Sequence, residues 1–226
     1  MKKCIILLVF LIVSNSVIIA QRANMREMEV LGGGGPNMFF CDIGDGGLGP
    51  VGFIAARYYV KDDIVARLNL AFAVGTDTDE STTNFERDYN FNTLLLESTV
   101  LVDYFFYHSD YIGRKGNDGL VLNVPRLGLY AFTGAGAIFF SPTPEAGKGN
   151  HDFVDDYSKI SMVVPFGLGM QYGIDRRWSA SFEIGRRFTP SDFLDGFSSE
   201  GSKSRDIYYF ALFSVSYKFK PFSGKW

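Results

Sequence analysis

Cysteine is nearly absent: Cys4 and Cys41 are the only two in 226 residues. That number gives no internal disulfide framework and no zinc quartet. Histidine is as scarce, with His108 and His151 alone. Positive charge is not in excess, since 22 Lys and Arg stand against 25 Asp and Glu. The basic face that a nucleic-acid partner requires is therefore missing, and no nucleic acid is expected. Past the N-terminal segment no apolar run approaches the ~20 residues of a membrane-spanning helix, which excludes a helical membrane bundle. Aromatic residues and glycine are plentiful: 22 Phe, 12 Tyr and 25 Gly, with 21% of the chain charged. This is too aromatic for intrinsic disorder. The length fits one all-β domain.

Residues 1–20 carry the marks of a secretory signal peptide. Lys2 and Lys3 are followed by an apolar stretch at 5–13, a polar break at Ser14-Asn15-Ser16, and Ala20 before Gln21. The competing reading is an uncleaved anchor, for which the apolar core is short. Residues 21–226 then form the folded domain, with Cys41 as its one cysteine. An exported chain without a disulfide must be held by its own architecture.

Five segments alternate with period two, the signature of a strand whose faces meet different surroundings. They are residues 64–74, 91–107, 160–174, 178–188 and 206–219. In the first, Ile64, Ala66, Leu68, Leu70, Phe72 and Val74 share a face, with Val65, Arg67, Asn69, Ala71 and Ala73 between them. Weaker patterns at 27–35, 51–60 and 127–140 bring the total to eight. The segment 127–140 is apolar on both faces and has no readable orientation.

The face opposite the bulky one is mostly Gly, Ala, Ser and Thr with isolated charges. Small residues suit the crowded inside of a narrow barrel better than a solvated surface. Several segments exceed the ~10 residues that a tilted strand needs to cross a bilayer. Tyr58, Tyr59, Tyr104, Tyr107, Tyr172, Trp178 and Tyr217 lie near strand ends, as interfacial aromatic girdles do. The expected fold is therefore all-β: an eight-stranded antiparallel transmembrane β-barrel of the outer-membrane type, its bulky face in outer-membrane lipid. A soluble lipocalin-like carrier is the competing reading.

On this facing the interior receives Glu29, Glu97, Asp103 and Glu183, and also Arg57, Arg67, Arg187 and Lys218. Buried ions persist when paired, so the balance of four against four supports the facing. A structural lumen network is expected, with a proton or ion path as the alternative. Eight strands leave room only for side chains, so no diffusion pore is expected.

Tight links at 61–63 and 175–177 predict periplasmic turns, and long polar links at 36–48, 75–90, 141–159 and 190–205 predict outer loops. Both termini then lie in the periplasm of a Gram-negative cell. The link 108–126 breaks the pattern, being a long periplasmic turn. It is read either as an insertion or as a docking surface for a periplasmic partner. Docking residues on the second reading are Arg114, Lys115, Leu120 and Leu122, joined by Trp226 from the tail.

Catalytic and ligand chemistry finds little support. The two histidines fall on opposite sides of the membrane, and no nucleophile–base set is visible. Gly32–Gly35 lacks the Lys-Ser/Thr of a phosphate loop. Asp77, Asp79 and Glu80, or Asp152, Asp155 and Asp156, could hold calcium, but solvated acidic loops are the simpler reading. No enzyme, cofactor, metal or small-molecule substrate is expected.

Particular motifs resemble a known family. Leu31-Gly-Gly-Gly-Gly-Pro36 opens the first strand, Leu129-Tyr-Ala-Phe-Thr-Gly-Ala-Gly-Ala137 lies in the fifth, and Val164-Pro-Phe-Gly-Leu-Gly-Met170 in the sixth. Glu183-Ile-Gly-Arg-Arg-Phe-Thr-Pro-Ser-Asp-Phe-Leu-Asp195 is similar to the pattern E-x-G-x-R-F-T-x-T-D-Y-L-D-D of PorG-type outer-membrane barrels in the type IX protein-secretion machinery. Ser191, Phe193 and Gly196 depart from that pattern. The resemblance spans nearly the whole processed chain. It implies a non-enzymatic part: association with the periplasmic ring of the lipoprotein PorK and its partner PorN, holding that ring at the outer membrane. A generic small barrel, acting as an adhesin or membrane stabiliser, is the alternative.

Overall fold

A strand with unlike faces must give its backbone groups to neighbours on both sides, and closing the sheet on itself leaves no edge unpaired. The computed structural model describes residues 28–40, 46–61, 63–78, 89–109, 113–115, 121–123, 126–146, 158–175, 177–190, 194 and 207–219. Its strands are β1 (Met28–Phe40), β2 (Leu48–Tyr59), β3 (Ile64–Thr78), β4 (Tyr89–His108), β5 (Gly113–Lys115), β6 (Val121–Asn123), β7 (Arg126–Ala146), β8 (Ile160–Gly173), β9 (Trp178–Phe188) and β10 (Ile207–Lys218). The eight long strands form a closed antiparallel barrel in the order β1-β10-β9-β8-β7-β4-β3-β2. The first and last strands seal it, with Glu29 opposite Lys218 and Phe40 opposite Ile207.

One end of the barrel carries tight turns. Val60 N–H donates to the Ile64 carbonyl (3.0 Å), and Ile174 N–H to that of Trp178 (2.9 Å). This turn end also holds the outset of β1, the close of β10 and the link between β4 and β7. The other four links leave from the loop end. Three of them are shorter than the sequence predicts, because Pro36–Phe40, Leu48, Gly75–Thr78, Tyr89–Asn90 and Ser141–Ala146 belong to strands, while the fourth, between β9 and β10, spans 189–206 against the expected 190–205. Cross-strand pairing carries polar and proline-containing residues that hydropathy alone assigns to loops.

The predicted facing holds on all five alternating segments. Outward Ile54, Leu68, Met162 and Phe213 are 58–64% exposed, while inward Val65, Ala73, Val163 and Phe140 are at 0%. In β7, where periodicity is silent, Tyr130, Phe132, Ile138 and Phe140 turn inward and Phe139 turns out. Alternation slips once in β4: a bulge between Phe105 and Tyr107 leaves both Phe106 and Tyr107 exposed.

The interior differs from the expectation of small residues plugging the cylinder. Phe39, Phe53, Phe105, Tyr130, Phe132, Phe140, Tyr208, Phe210 and Leu212 all point in and are buried. The small inward residues make room for these rings. A Cβ at Gly169 would overlap the Tyr130 ring, and one at Gly167 or Gly185 would stand 2.6 Å from Phe132 Cζ. Bulky side chains thus occur on both faces, and the smaller inward partners set where each inner ring lies.

Candidate functional site

Polar side chains inside a narrow barrel have no bulk water, so they must satisfy one another. The strands bring the charged residues into two clusters. Toward the turn end, Arg57 Nε donates to Asp103 Oδ2 (2.9 Å), and its Nη2 donates to Tyr130 OH (2.8 Å) and Glu183 Oε1 (3.1 Å). Arg67 Nη1 and the Tyr130 hydroxyl donate to the same Glu183 oxygen. Arg67 Nη2 lies 2.9 Å from Asp103 Oδ1 as an ion contact without hydrogen-bond alignment. Glu29 accepts from Gln171 Nε2 (2.9 Å) and from Tyr59 OH, with Arg57 Nη1 and Lys218 Nζ each 3.9 Å away.

This cluster draws one or more side chains from every barrel strand: Glu29, Arg57, Arg67, Asp103, Tyr130, Gln171, Glu183 and Lys218, in chain order. Three carboxylates meet three cations in it. Two guanidiniums also lie over rings, Arg57 over Tyr130 and Arg67 over Phe132, each 5.0 Å from the centroid.

Nearer the loop end, Glu97 Oε2 accepts from Tyr208 OH (2.8 Å) and lies 3.6 Å from Arg187 Nε. Arg187 sits 4.0 Å over the Phe210 ring. Above this pair one residue of a loop-end link reaches into the barrel. Leu194, from the link after β9, is fully buried with Phe39, Tyr208 and Phe140, and its carbonyl accepts from Thr93 Oγ1. Asp77 Oδ2 accepts from the amides of Gly46 (2.8 Å) and Gly47 (2.6 Å), so this carboxylate latches a loop.

Of the eight predicted lumen charges, Glu29, Arg57, Arg67, Asp103, Glu183 and Lys218 meet in one cluster, and Glu97 and Arg187 in the other. Sequence reasoning missed the neutral partners Tyr59, Tyr130, Tyr208 and Gln171. Tyr59, read as a girdle residue, instead points inward to Glu29. A buried phenol needs an acceptor, and the carboxylates inside were the signal available. Tyr104, Tyr107, Tyr172 and Trp178 are outward and exposed, all at the turn end.

The docking candidates are placed less fully. Arg114 lies in β5 opposite Leu122 of β6, with Lys115 beside it opposite Val121, in a two-stranded ribbon separate from the barrel sheet. Leu120 and Trp226 lie outside the described residues, as do residues 1–27, Cys41, His151 and the acidic residues 79–80, 152 and 155–156. Among the described residues no group of three His, Cys, Asp or Glu is placed to hold a metal.

No protein-family model matches this chain, and comparison with curated proteins gives no match. Among solved structures it is similar in shape to Neisserial surface protein A, at 11% identity and a TM-score of 0.49, covering 85% of this chain and 97% of that one. It is also similar to Ail, the attachment invasion locus protein of Yersinia pestis, crystallised with a heparin analogue, at 12% identity and TM-score 0.45 over 85% and 98%. A third likeness is to the N-terminal β-barrel domain of Pseudomonas aeruginosa OprF, at 10% identity and TM-score 0.43 over 85% and 96%. These are loose likenesses of shape, and no activity follows from them.

Proposed function

We propose that this protein is a non-enzymatic barrel of the outer membrane that serves as a membrane-held attachment point. The observation that carries this reading is the interior: a side chain from each barrel strand is spent in one interlocked cluster, and rings fill the rest. Such a core stabilises a wall, and among the described residues it crosses the lumen with side chains from all eight barrel strands. The exposed apolar belt supports placement in lipid, because a soluble monomer rarely shows so large a greasy surface. On this reading the turn end faces the periplasm together with both termini.

The finer role we infer is in type IX secretion, anchoring or stabilising the periplasmic PorK/PorN ring. Its support is the sequence resemblance around residues 183–195 and the extra ribbon β5–β6 in the link at the turn end. Arg114, Lys115, Leu120, Leu122 and Trp226 are the proposed contact residues. A photo-crosslinker placed at Arg114 or Lys115 in native membranes is expected to capture a ring protein, and deleting 113–118 is expected to leave the barrel inserted while abolishing capture. Capture unchanged by the deletion contradicts the docking role. A second reading, a generic adhesin or membrane stabiliser acting through its loops, is favoured by the organised loop end, where Leu194 and Asp77 are fixed. Exchanging the loops would abolish attachment on that reading and leave crosslinking unaffected.

A further inference from the structure

The outer wall is not uniformly bulky. Where β10, β1, β2 and β3 meet, it sinks into an apolar groove of about 680 Å³. Gly32 and Ala56 are the small residues there, Leu68 and Leu70 rise on one side, and Val215 and Tyr217 on the other. Register puts these in adjacent rows: Gly32 opposite Val215 and Ile54, Ala56 opposite Leu68. Trp178, opposite Tyr217, closes the groove toward the turn end with its ring 5.0 Å from that of Tyr217. Arg177 stands at this rim, exposed, with Nη1 donating to the Tyr217 hydroxyl (2.9 Å).

We propose that this groove binds one acyl chain of an anionic glycerophospholipid in the leaflet at the turn end, with the phosphate held by Arg177. The inference rests on the barrel being embedded in a membrane. The groove supplies the apolar half of the recognition. Arg177 supplies the polar half: a guanidinium has five N–H donors, among the described residues Nη1 donates to Tyr217 with the Asp175 carboxylate nearby, and a phosphate takes the remaining donors in paired fashion. The spacing agrees. The row of Gly32 and Val215 lies two residues along β10 from Tyr217, about 7 Å along the strand and about 5 Å deeper at the tilt of a barrel strand. That is where the first carbons of a chain lie when its headgroup is at the rim.

Trp178 is a built-in reporter, being one of two tryptophans in the chain. The test uses the full chain with Trp226→Phe, inserted into phosphatidylcholine vesicles carrying a minority of phosphatidylglycerol brominated on its acyl chains. Trp178 quenching is expected to correspond to about fivefold enrichment of that lipid over its mole share, the preference one basic residue gives at a membrane surface. Arg177→Gln and Gly32→Leu are each expected to return it to the mole share. A Cβ at Gly32 meets only ordinary contacts, the nearest at 3.6 Å, and Arg177 is in an exposed turn, so both variants retain the barrel by circular dichroism. Quenching at the mole share in the unaltered groove, or enrichment that survives both substitutions, overturns the proposal. So does shielding of Trp178 from all brominated lipid together with crosslinking between two copies, which would make the groove a protein interface. Failure of pure brominated phosphatidylcholine to quench, with the chain free of the vesicles, would instead sink the membrane reading beneath it.

Discussion

Glu183 gathers donors from three other strands, since Arg57, Arg67 and Tyr130 all reach its Oε1. Removing its charge leaves two buried guanidiniums sharing one close carboxylate, Asp103. Glu183→Gln is expected to lower stability by about 3–5 kcal/mol, the usual cost of breaking a buried ion pair from one side. Urea unfolding of the lipid-inserted barrel measures it, and an unchanged midpoint would show that the cluster is dispensable. Asp175 is a smaller case outside the barrel wall. Its Oδ1 accepts from the amides of Arg177 (2.6 Å) and Trp178 (2.7 Å), and these hold its carboxyl below the usual carboxylate range. A carboxyl depressed by folding adds stability above its unfolded pKa and loses it as pH falls through the folded value. The β8–β9 turn is therefore expected to loosen only in acid below the ordinary carboxylate range. The Trp178 amide chemical shift should report that inflection, and Asp175→Asn should remove it.

At the scale of the element, β1 shows how glycine position decides tolerance. A Cβ at Gly33 would drive into the Phe213 carbonyl of β10, whereas one at Gly32, next in line, meets only ordinary contacts. The sealing pair β1–β10 depends on that close backbone approach. Gly33→Ala is expected to cost about 1–3 kcal/mol, as overpacking does, with Gly32→Ala within about 0.5 kcal/mol. Equal midpoints for the two variants would mean the seam does not need the approach. The run Gly32–Gly35 was legible as close packing but not as two unlike positions, since the twist that aims each Cα is a property of the paired strands. For β7, the sequence could offer no facing: both its faces are apolar, and only pairing with β4 and β8 turns Tyr130 and Phe132 inward.

For the whole molecule, the decisive feature is a cross-section crossed by side chains from every strand. Planar-bilayer recordings are expected to show no steady open channel, and a stable conductance well above leak would contradict a filled interior. The charged membership of that cross-section was readable from residue types at alternate positions, because period two is local and a one-residue slip would reverse every facing. Its neutral members were not, because Gln171 gains its role only by standing across the lumen from Glu29, and Tyr59 only by lying diagonal to Glu29 on the paired strand β2. The burial of Leu194 was hidden for the same reason, as nothing local marks this residue, six past the last paired position of β9, as core.

The sequence by itself determined which side chains face in on the five alternating strands, that the barrel has eight strands, and that the interior charges balance. Each of these follows from alternation along one strand. Only the tertiary structure decided which charge meets which, where the aromatic rings lodge, and that small outward residues of neighbouring strands align into a groove. Those depend on the stagger of eight registers around a closed barrel, and no single segment encodes its neighbour's offset.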